Sequence, residues 1–271
     1  MHKMIFGGGL GNQMFQYAFM LHLRKNGFGV VADTSLYNYV RMHQGYELER
    51  VFGIQEDIFN KGGIHLLWLR FLIKYHPRLF ITIDPLCYNE DNINRGKKYL
   101  YGFWQDEKYF DDVKNEIKRS FVFQDIDGRN RAVAETMHSC NSVSVHIRRG
   151  DYASYGMPIM DDDYYKKAVL YVNSKIETPS YYVFSDDHQA AEKLMKNLNV
   201  DYNIVDWNNG ADSYKDMYLM SQCKYNIVAN SSFSWWGAWL NNYKEKMVVA
   251  PKVWSPRAIH LRPQVGGWIL I

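Results

Sequence analysis

The sequence contains few cysteines, no strongly charged tract and no long apolar run. Its three cysteines, Cys87, Cys140 and Cys223, are widely separated and lie in no CxxC or Cys/His spacing that would hold zinc. The N-terminal residues MHKMIFGGGLG lack the apolar stretch of a signal peptide, and no run reaches the roughly 18 uncharged apolar residues that a membrane-spanning helix needs. These absences predict a cytoplasmic protein in a reducing compartment.

The net charge is only +3, and 23% of the residues are charged without forming a basic block. This disfavours a disordered tail and a protein that binds nucleic acid through bulk charge. At roughly 150 residues per domain, 271 residues predict about two domains, and an apolar content of 47% is enough to bury a core in each. The 21 tyrosines and 8 tryptophans are typical of proteins that handle sugars, nucleobases or membrane interfaces.

One segment, Ile64–Ile83, is rich in Leu, Trp and Phe. Arg70 and Lys74 interrupt its apolar residues, and His76-Pro77 breaks the run. The pattern predicts an amphipathic helix that is either part of the core or interfacial. In the second case the helix would bring the protein to the inner face of a membrane as a peripheral contact.

The N-terminal half begins as a β-α-β unit. A short strand at Lys3–Phe6 leads into a glycine cluster, and apolar residues then recur at helical spacing until Gly27, where the helix ends. A second strand follows at Val30–Asp33, which places the glycine loop at the carboxyl end of the first strand. Helices are predicted near Glu47–Phe52 and Asp106–Arg119, and strands at Phe80–Ile83 and Tyr99–Phe103.

The polar segment Gln124–Arg131 is predicted to be a linker. Beyond it, strands are predicted at Ser142–Ile147, Tyr181–Ser185, Asn203–Val205, Tyr225–Ala229 and Lys246–Ala250, and helices from about Asp163, His188, Ser213 and Ser232. This alternation indicates a parallel sheet covered by helices on both faces. The expected fold class is α/β, with two Rossmann-type β/α domains, residues 1–128 and 129–271, facing a central ligand cleft.

Glycines dominate the loop from Gly7 to Gln13, where backbone N–H groups and the start of a helix can hold an anion. Gly9 and Gly11 belong to this candidate site. The loop is not the dinucleotide fingerprint GxGxxG, because Asn12 or Met14 stands where the third glycine is required. A tight strand-to-helix turn without a ligand is the alternative.

Two arginines follow a strand in the second half of the chain. Alternation along Ser142–Ile147 places His146 and Arg148 on one side, and Arg149 comes directly after. The guanidinium fork makes bidentate contacts with phosphate, so this strand end is a candidate phosphate site. An Arg–Asp ion pair that holds the loop, with Asp151 nearby, is the alternative.

Acidic residues follow or precede several predicted elements. Asp186 and Asp187 come after a strand and either cap the next helix or accept hydrogen bonds from a nucleoside. The DxD pattern within Asp161–Asp163 directly precedes a helix, where acidic residues are favourable without a metal. Helix capping is therefore the preferred interpretation of this triplet, and no metal site is predicted.

The most distinctive segment joins a strand ending at Ala229 to a helix that carries three tryptophans. Between them lie Asn230, Ser231, Ser232 and Phe233. A strand, a small polar turn and a helix N-terminus together bind diphosphates through hydroxyl and backbone N–H groups. The tryptophans are predicted to be core residues, whereas Phe233 is better placed to meet a ligand.

With these segments identified, the sequence resembles the bacterial alpha-1,2-fucosyltransferases of glycosyltransferase family 11. Five ordered segments carry the resemblance: GGLGNQMFQYA (Gly8–Ala18), GFWQDEKYF (Gly102–Phe110), HIRRGDY (His146–Tyr152), FSDD (Phe184–Asp187) and ANSSFSWWGAWLN (Ala229–Asn241). The resemblance implies a GT-B-like fold with an N-terminal acceptor-side domain and a C-terminal donor domain. It also implies a GDP-fucose donor, inversion at the anomeric carbon, no metal or other cofactor, and an acceptor ending in galactose, as in a polysaccharide repeat or a lipid-linked oligosaccharide.

A wider similarity to the alpha-1,6- and protein O-fucosyltransferases implies individual roles. His146 resembles a histidine near the guanine, and Arg148 resembles the arginine that bonds the donor diphosphate. Asp216 precedes Ser232 by sixteen residues, which matches the spacing of a guanine-binding aspartate and a phosphate-binding serine in those enzymes. Asn12 resembles the asparagine of their glycine-rich loop, close to the reacting centre.

Two other functions and the general base stay open at this point. A nicotinamide-dependent oxidoreductase would use the glycine loop with Asp33 as its ribose-binding acid, but HIRRGD and NSSF would then be unexplained. A non-catalytic carbohydrate-binding module would not need paired arginines. Asp33, Asp106, Glu107 and Asp151 are equal candidates for a general base, and a dissociative mechanism positioned by Asn12 is the alternative.

Overall fold

The computed structural model describes residues 1–38, 43–60, 67–68, 71, 74–75, 81–83, 98–149, 159–255, 261 and 263–271. The chain divides into two compact units, residues 1–124 with 260–263 and residues 125–259 with 264–271. The boundary predicted from the sequence lies between residues 128 and 129. Most of the helix predicted at 64–83 falls outside the described residues, as do Cys87 and Asp151. Within the described ranges, no helix combines the length and the apolar character needed to cross a membrane.

A parallel sheet forms the centre of the first unit. Its strands are β1 (His2–Ile5), β2 (Val30–Asp33), β3 (Ile58–Phe59), β4 (Ile81–Ile83) and β5 (Tyr99–Tyr101), in the order β3-β2-β1-β5-β4. Its helices are α1 (Leu10–Lys25), α2 (Leu48–Phe52) and α3 (Lys114–Ser120), with 3-10 helices at Ser35–Asn38 and Glu107–Val113. Because β1 pairs in parallel with both β2 and β5, the loop after β1 opens at the carboxyl edge of the sheet.

Helix α1 is the main helix of this unit, and aromatic side chains hold it in place. The Phe19 ring lies 4.6 Å from the Trp104 ring and 5.0 Å from the Tyr109 ring, centroid to centroid. The helix ends at Lys25, and Gly27 then takes a φ of 83°, which glycine adopts without steric cost. The predicted β-α-β unit is confirmed.

The second unit contains a six-stranded parallel sheet in the order β11-β10-β9-β6-β7-β8. The strands are β6 (Asn141–Ile147), β7 (Pro179–Ser185), β8 (Tyr202–Val205), β9 (Tyr225–Ile227), β10 (Met247–Ala250) and β11 (Ile269–Leu270). The helices are α4 (Gly128–Ser139), α5 (Asp162–Asn173), α6 (His188–Leu198), α7 (Tyr214–Gln222) and α8 (Ser232–Leu240), with a 3-10 turn at Gly210–Asp212. The five strands and four helix starts predicted in this half are confirmed to within two residues.

The two faces of β6 contact different helices. Val143, Val145 and Ile147 pack into a core with residues of α5 and α6. On the other face His146 pairs in register with Phe184, which packs in a second core with residues of α4 and α7. The predicted alternation along β6 is therefore confirmed, and it directs His146 away from the α5 and α6 side.

Two local predictions are wrong. The linker predicted at Gln124–Arg131 is helical from Gly128, because Asp127 accepts a hydrogen bond from Asn130 N at 3.0 Å and caps α4. The continuous helix predicted at Asp106–Arg119 is a 3-10 helix followed by α3, with a non-helical residue at Phe110. In the first case the polar residues that begin the helix resemble those of a loop. In the second, the backbone of Phe110 (φ −145°, ψ 24°) interrupts the helix.

Gly237 in α8 tests how closely α7 and α8 pack. A Cβ atom at this position would lie 2.8 Å from the Cβ of Met220 and 3.6 Å from the carbonyl oxygen of Met217. We expect Gly237→Ala to destabilise the protein by about 1–2 kcal/mol, since overpacking outweighs the gain in helix propensity. Urea unfolding followed by tryptophan fluorescence measures this change.

The matched control for that substitution is Gly128→Ala, at the first residue of α4, where an added Cβ meets no atom within 4 Å. This variant should be as stable as the parent or slightly more stable, because alanine favours the helix. Equal stability of Gly237→Ala and the parent protein would show that the two helices separate easily.

Candidate active site

Three polar segments meet at the carboxyl edge of the second sheet. They follow β6, β7 and β9, which are neighbours in the order β9-β6-β7 and run parallel. Parallel neighbours end on the same side of a sheet, so the residues after Ile147, Ser185 and Ile227 are brought together. This edge collects most of the site residues predicted for the C-terminal half of the chain.

The paired arginines are held at this edge by carboxylates. Arg148 Nε lies 3.3 Å from Asp186 Oδ2, and the backbone N–H of Arg149 donates to Asp186 Oδ1 at 2.9 Å. The guanidinium of Arg149 pairs with Asp162. Ion pairing, the alternative to phosphate binding, is therefore present, with Asp186 and Asp162 as partners. These contacts fix both arginines at the strand end, and Asp186 serves as their anchor rather than as a helix cap.

His146 lies beneath the arginines and is buried, with 4% of its surface exposed. Burial and the positive charge of Arg148 lower its pKa below the usual value, so the imidazole is neutral at pH 7. Its ring centroid is 5.9 Å from that of Phe233, and Nδ1 has no hydrogen-bond partner among the described residues. A buried nitrogen of this kind is a place where a ligand can supply the missing partner.

The turn from β9 into α8 presents a helix N-terminus to the same edge. Ser231 caps the helix, its Oγ accepting from Phe233 N at 3.3 Å, and Asn230 Nδ2 donates to the Trp254 carbonyl at 3.2 Å. Ser232 begins the helix and is half-buried, as is Phe233. The hydroxyl hydrogen of Ser231 is not used by the cap, so it and the backbone N–H of Ser232 can face an anion.

The tryptophans of α8 behave as predicted. Trp235 and Trp236 are fully buried and Trp239 is 5% exposed, with ring centroids 4.8–6.2 Å apart. The prediction that they are core residues is confirmed. They stabilise the helix whose N-terminus forms part of the site.

Asp216 lies in the first turn of α7, near the same edge. Its Oδ1 accepts from Asn208 Nδ2 at 2.8 Å, and Asn208 also exchanges hydrogen bonds of 3.0 Å with the side chain of Asn130. Burial raises the Asp216 pKa to about 7, although the bond from Asn208 opposes this rise. Sequence reasoning missed both asparagines, because Asn130 was assigned to a linker and Asn208 lies in no motif.

The remaining acidic residues have structural partners. Asp187 caps α6 by accepting from Ala190 N at 3.0 Å, and Asp161 caps α5 by accepting from Tyr164 N at 2.8 Å. Asp163 pairs with Lys167 at 2.6 Å on the exposed face of α5. The preferred capping interpretation of the DxD triplet is confirmed. No group of three or more His, Cys, Asp or Glu side chains within the described ranges is arranged to hold a metal ion.

In the first unit, side chains hydrogen-bond to the glycine loop and pack against it. Gly8, with a φ of 79°, has a carbonyl that accepts from Tyr37 Oη at 2.8 Å and from Gln13 Nε2 at 3.2 Å. Gly9 precedes the first residue of α1, and an added Cβ there would lie 3.1 Å from the His43 ring. Gly11 is buried in the first turn of the helix. The loop is therefore held by hydrogen bonds and packing, and its backbone leads directly into a helix N-terminus.

Asn12 is half-buried in the first turn of α1. Its Oδ1 accepts a hydrogen bond of 2.7 Å from Gln105 Nε2. Gln105 belongs to the GFWQDEKYF segment, but it was not among the predicted site residues. In the sequence, Gln105 is marked as a site residue only by its position within GFWQDEKYF.

The described candidates for a general base already have partners. Asp33 is fully buried and its Oδ1 accepts from Ser35 N at 3.0 Å. Asp106 caps the following 3-10 helix through Lys108 N at 2.9 Å. Glu107 lies 3.0 Å from the Nζ of Lys114. Each of the three residues therefore has a hydrogen-bond or ion-pair partner within the first unit.

Comparison with known proteins places this chain in a family. The sequence profile of glycosyl transferase family 11 matches residues 91–265. An alpha-1,2-colitosyltransferase from Escherichia coli is 32% identical over 92% of this chain and 91% of its own. The O-antigen biosynthesis glycosyltransferase WbnK from Escherichia coli is 32% identical over 97% of both chains. The human galactoside alpha-(1,2)-fucosyltransferase 1 is 25% identical over 52% of this chain and 42% of its own.

Solved structures agree on the fold. The fucosyltransferase NodZ from Bradyrhizobium superposes with a TM-score of 0.53 at 14% identity, over 87% of this chain and 92% of that chain. A NodZ crystal soaked with GDP-fucose gives a TM-score of 0.50 over 88% of this chain and 92% of that chain. The predicted α/β, GT-B-like fold class is confirmed. From the profile match and the two bacterial relatives, the chain belongs to glycosyl transferase family 11.

Proposed function

We propose that this glycosyltransferase moves L-fucose from GDP-β-L-fucose to the 2-hydroxyl of a terminal galactose in a glycan acceptor. The observation that carries the proposal is the pair Arg148 and Arg149, anchored by Asp186 and Asp162 beside the N-terminus of α8. Two guanidinium groups and a helix N-terminus at one sheet edge suit a diphosphate. The names of the relatives supply the alpha-1,2 linkage.

In the proposed reaction, the bond between C1 of the sugar and the β-phosphate oxygen breaks as the acceptor oxygen attacks C1 from the opposite face. The acceptor hydroxyl releases its proton to solvent as its oxygen bonds to C1, and the configuration at C1 inverts. Negative charge develops on the departing GDP, so the groups that stabilise it lower the barrier. Arg148, Arg149, Ser231 and Ser232 fill this role here, and the reaction then needs no metal.

The remaining site residues are assigned to the nucleoside and the sugar. The neutral ring of His146 and the half-buried ring of Phe233 lie 5.9 Å apart, centroid to centroid, and we assign them to the purine ring. The Asp216 carboxylate can accept hydrogen bonds from the N1–H and 2-amino groups of guanine. Asn230 supports the turn, and Asn12 acts near the reacting sugar.

The acceptor and the cellular location extend the proposal. We take the acceptor to be a galactose-containing oligosaccharide or a lipid-linked glycan, which the O-antigen role named for WbnK supports. The protein then works in the cytoplasm, and the segment 64–83 brings it to the inner face of the membrane. Flotation of the protein with liposomes tests this contact, and its absence from the lipid fraction would rule the contact out.

The function is tested by supplying GDP-fucose and GDP-colitose to the protein with a panel of β-galactosides, in buffer with and without EDTA. Colitose is fucose without the 3-hydroxyl, so the two donors separate the proposed sugar from that of the colitosyltransferase. We expect transfer of fucose in an α-1,2 linkage, identified by NMR, at a rate that EDTA does not change. Preference for GDP-colitose would overturn the proposed donor sugar, and another linkage would overturn the proposed acceptor position. Loss of activity in EDTA would overturn the proposed independence of metal.

Binding can be tested without turnover. GDP should raise the melting temperature because it binds the native state preferentially, whereas NAD and free sugars should leave it unchanged at the same concentration. Stabilisation by NAD alone would favour the oxidoreductase alternative.

Arg148 is the residue on which leaving-group stabilisation depends most. We expect Arg148→Ala to lower kcat by at least about 100-fold, the usual effect of removing one well-placed donor. Arg148→Lys should recover little, because an ammonium group cannot make the bidentate contact. Steady-state kinetics with saturating GDP-fucose measures both variants.

The matched control is Arg119→Ala, which removes an exposed arginine of α3 that donates to the Asn115 carbonyl. Its kcat should stay within about twofold of the parent value, as for surface substitutions away from a site. A kcat for Arg148→Lys within about tenfold of the parent would contradict the bidentate role.

The raised pKa of Asp216 makes GDP binding depend on pH. Guanine requires the ionised carboxylate, which is largely protonated below about pH 7 in the free protein. Lowering the pH from 8 to 6 should therefore raise the Kd for GDP about tenfold through this group. Isothermal titration calorimetry at several pH values measures the effect.

Asp216→Asn is the control for that titration. The amide keeps an acceptor oxygen but does not titrate, so any remaining pH dependence comes from the terminal phosphate of GDP, whose pKa is about 6. The difference between the two proteins isolates Asp216. Identical pH profiles would contradict a carboxylate contact with guanine.

A further inference from the structure

The segment from Gly102 to Asp106 contains a strained residue, Trp104, to which the proposed reaction gives no role. Trp104 is fully buried and has a φ of 57°, a left-handed conformation that bulky residues rarely adopt. Its ring packs 4.6 Å from Phe19 and 5.6 Å from Tyr109, centroid to centroid. Such strain persists where the surrounding packing determines the backbone, and it is concentrated at functional sites.

The strained turn brings the following residue, Gln105, to the first turn of α1. Gln105 Nε2 donates to Asn12 Oδ1 at 2.7 Å, although the two residues are 93 positions apart. A second amide makes a parallel connection, because Gln16 Nε2 donates to the Gly102 carbonyl at 2.8 Å and Gln16 Oε1 accepts from Gly7 N at 3.2 Å. The segment is therefore tied to the glycine loop at both its backbone and its side chain.

This contact determines which end of the Asn12 amide is available. The oxygen accepts from Gln105, so the two N–H donors are the groups left for other partners. The nitrogen lies close over Gly8, where an added Cβ would be 2.6 Å away from it. Rotating the amide by half a turn would set its NH₂ against the NH₂ of Gln105. With Gln105 oriented as it is here, the hydrogen bond selects one orientation of the Asn12 amide.

We propose that Gln105 is a positioning residue that holds the N–H donors of Asn12 toward the reacting sugar or its leaving group. This inference rests on the proposed function, because it takes Asn12 to act near the reacting centre. Trp104 supports the arrangement by fixing the backbone from which Gln105 extends. The contact consists of one amide orienting another, so a carboxylate at position 105 would reverse its polarity.

Kinetics of Gln105→Ala, Asn12→Ala and the double variant test the proposal. We expect Gln105→Ala to lower kcat by about 10- to 100-fold with a change in donor KM below about threefold, since orientation rather than binding is lost. In the Asn12→Ala background, the same substitution should change kcat by less than about twofold, because its effect passes through Asn12. Gln105→Glu should not restore activity, since a carboxylate accepts from the Asn12 amide and turns it around.

Gln124→Ala is the matched control, because Gln124 is an exposed glutamine of the same unit that donates to the Val122 carbonyl. It should leave kcat, KM and the melting temperature unchanged. If Gln105→Ala lowered kcat equally in both backgrounds, the residue would have a structural role and the proposal would fail. A kcat of Gln105→Ala within about twofold of the parent value would also overturn it.

The parent enzyme assayed in parallel separates this inference from the proposed function. If the parent transfers colitose instead of fucose, the proposed donor is wrong. The same single and double variants are then compared with GDP-colitose as the donor. A readout independent of turnover is the pair of proton–nitrogen-15 correlation signals from the two N–H protons of the Asn12 side chain, identified by their loss in Asn12→Asp. These signals should shift in Gln105→Ala and stay in place in Gln124→Ala, and unchanged signals in the former would overturn the contact.

Discussion

The parallel alignment of β9, β6 and β7 is the constraint on which the candidate active site depends. Because these strands run in one direction, the segments that follow them end at the same edge, although they come from residues up to 80 positions apart along the chain. The register of β6 matters equally. A shift of one residue would turn His146 into the core of Val143 and Val145 and would remove it from the site.

Electrostatics at this edge is organised before any ligand arrives. Asp186 and Asp162 keep Arg148 and Arg149 ordered, which reduces the loss of side-chain entropy when an anion binds. The neighbouring His146 stays neutral because burial and Arg148 both oppose its protonation. Positive charge is thus concentrated on the two guanidinium groups, and the helix N-terminus of α8 adds partial positive charge.

In the first unit, uncharged side chains hold the glycine loop in place. Gln13 and Tyr37 donate to the Gly8 carbonyl, and Gln16 accepts from Gly7 N. Neutral amides and a phenol suit this purpose, because they satisfy buried backbone groups without placing a charge beside the loop. Gln105 differs from these residues because its partner is the side chain of Asn12 and not the backbone.

Periodicity alone determined the strands of the second unit, the faces of β6 and the core position of the α8 tryptophans, because burial imposes a repeat of two or 3.6 residues that is visible along the chain. The motifs likewise determined the family, and Asp161 and Asp187 were recognisable as possible caps because capping is local. Only the tertiary structure decided that Asp186 anchors the arginines, that Asn208 holds Asp216, and that Gln105 reaches Asn12. These contacts depend on how distant elements pack. A hydrogen bond between residues far apart along the chain leaves no periodic pattern in the sequence. For the same reason the polar start of α4 resembled a linker until the bond from Asn130 to Asp127 showed it to be a capped helix.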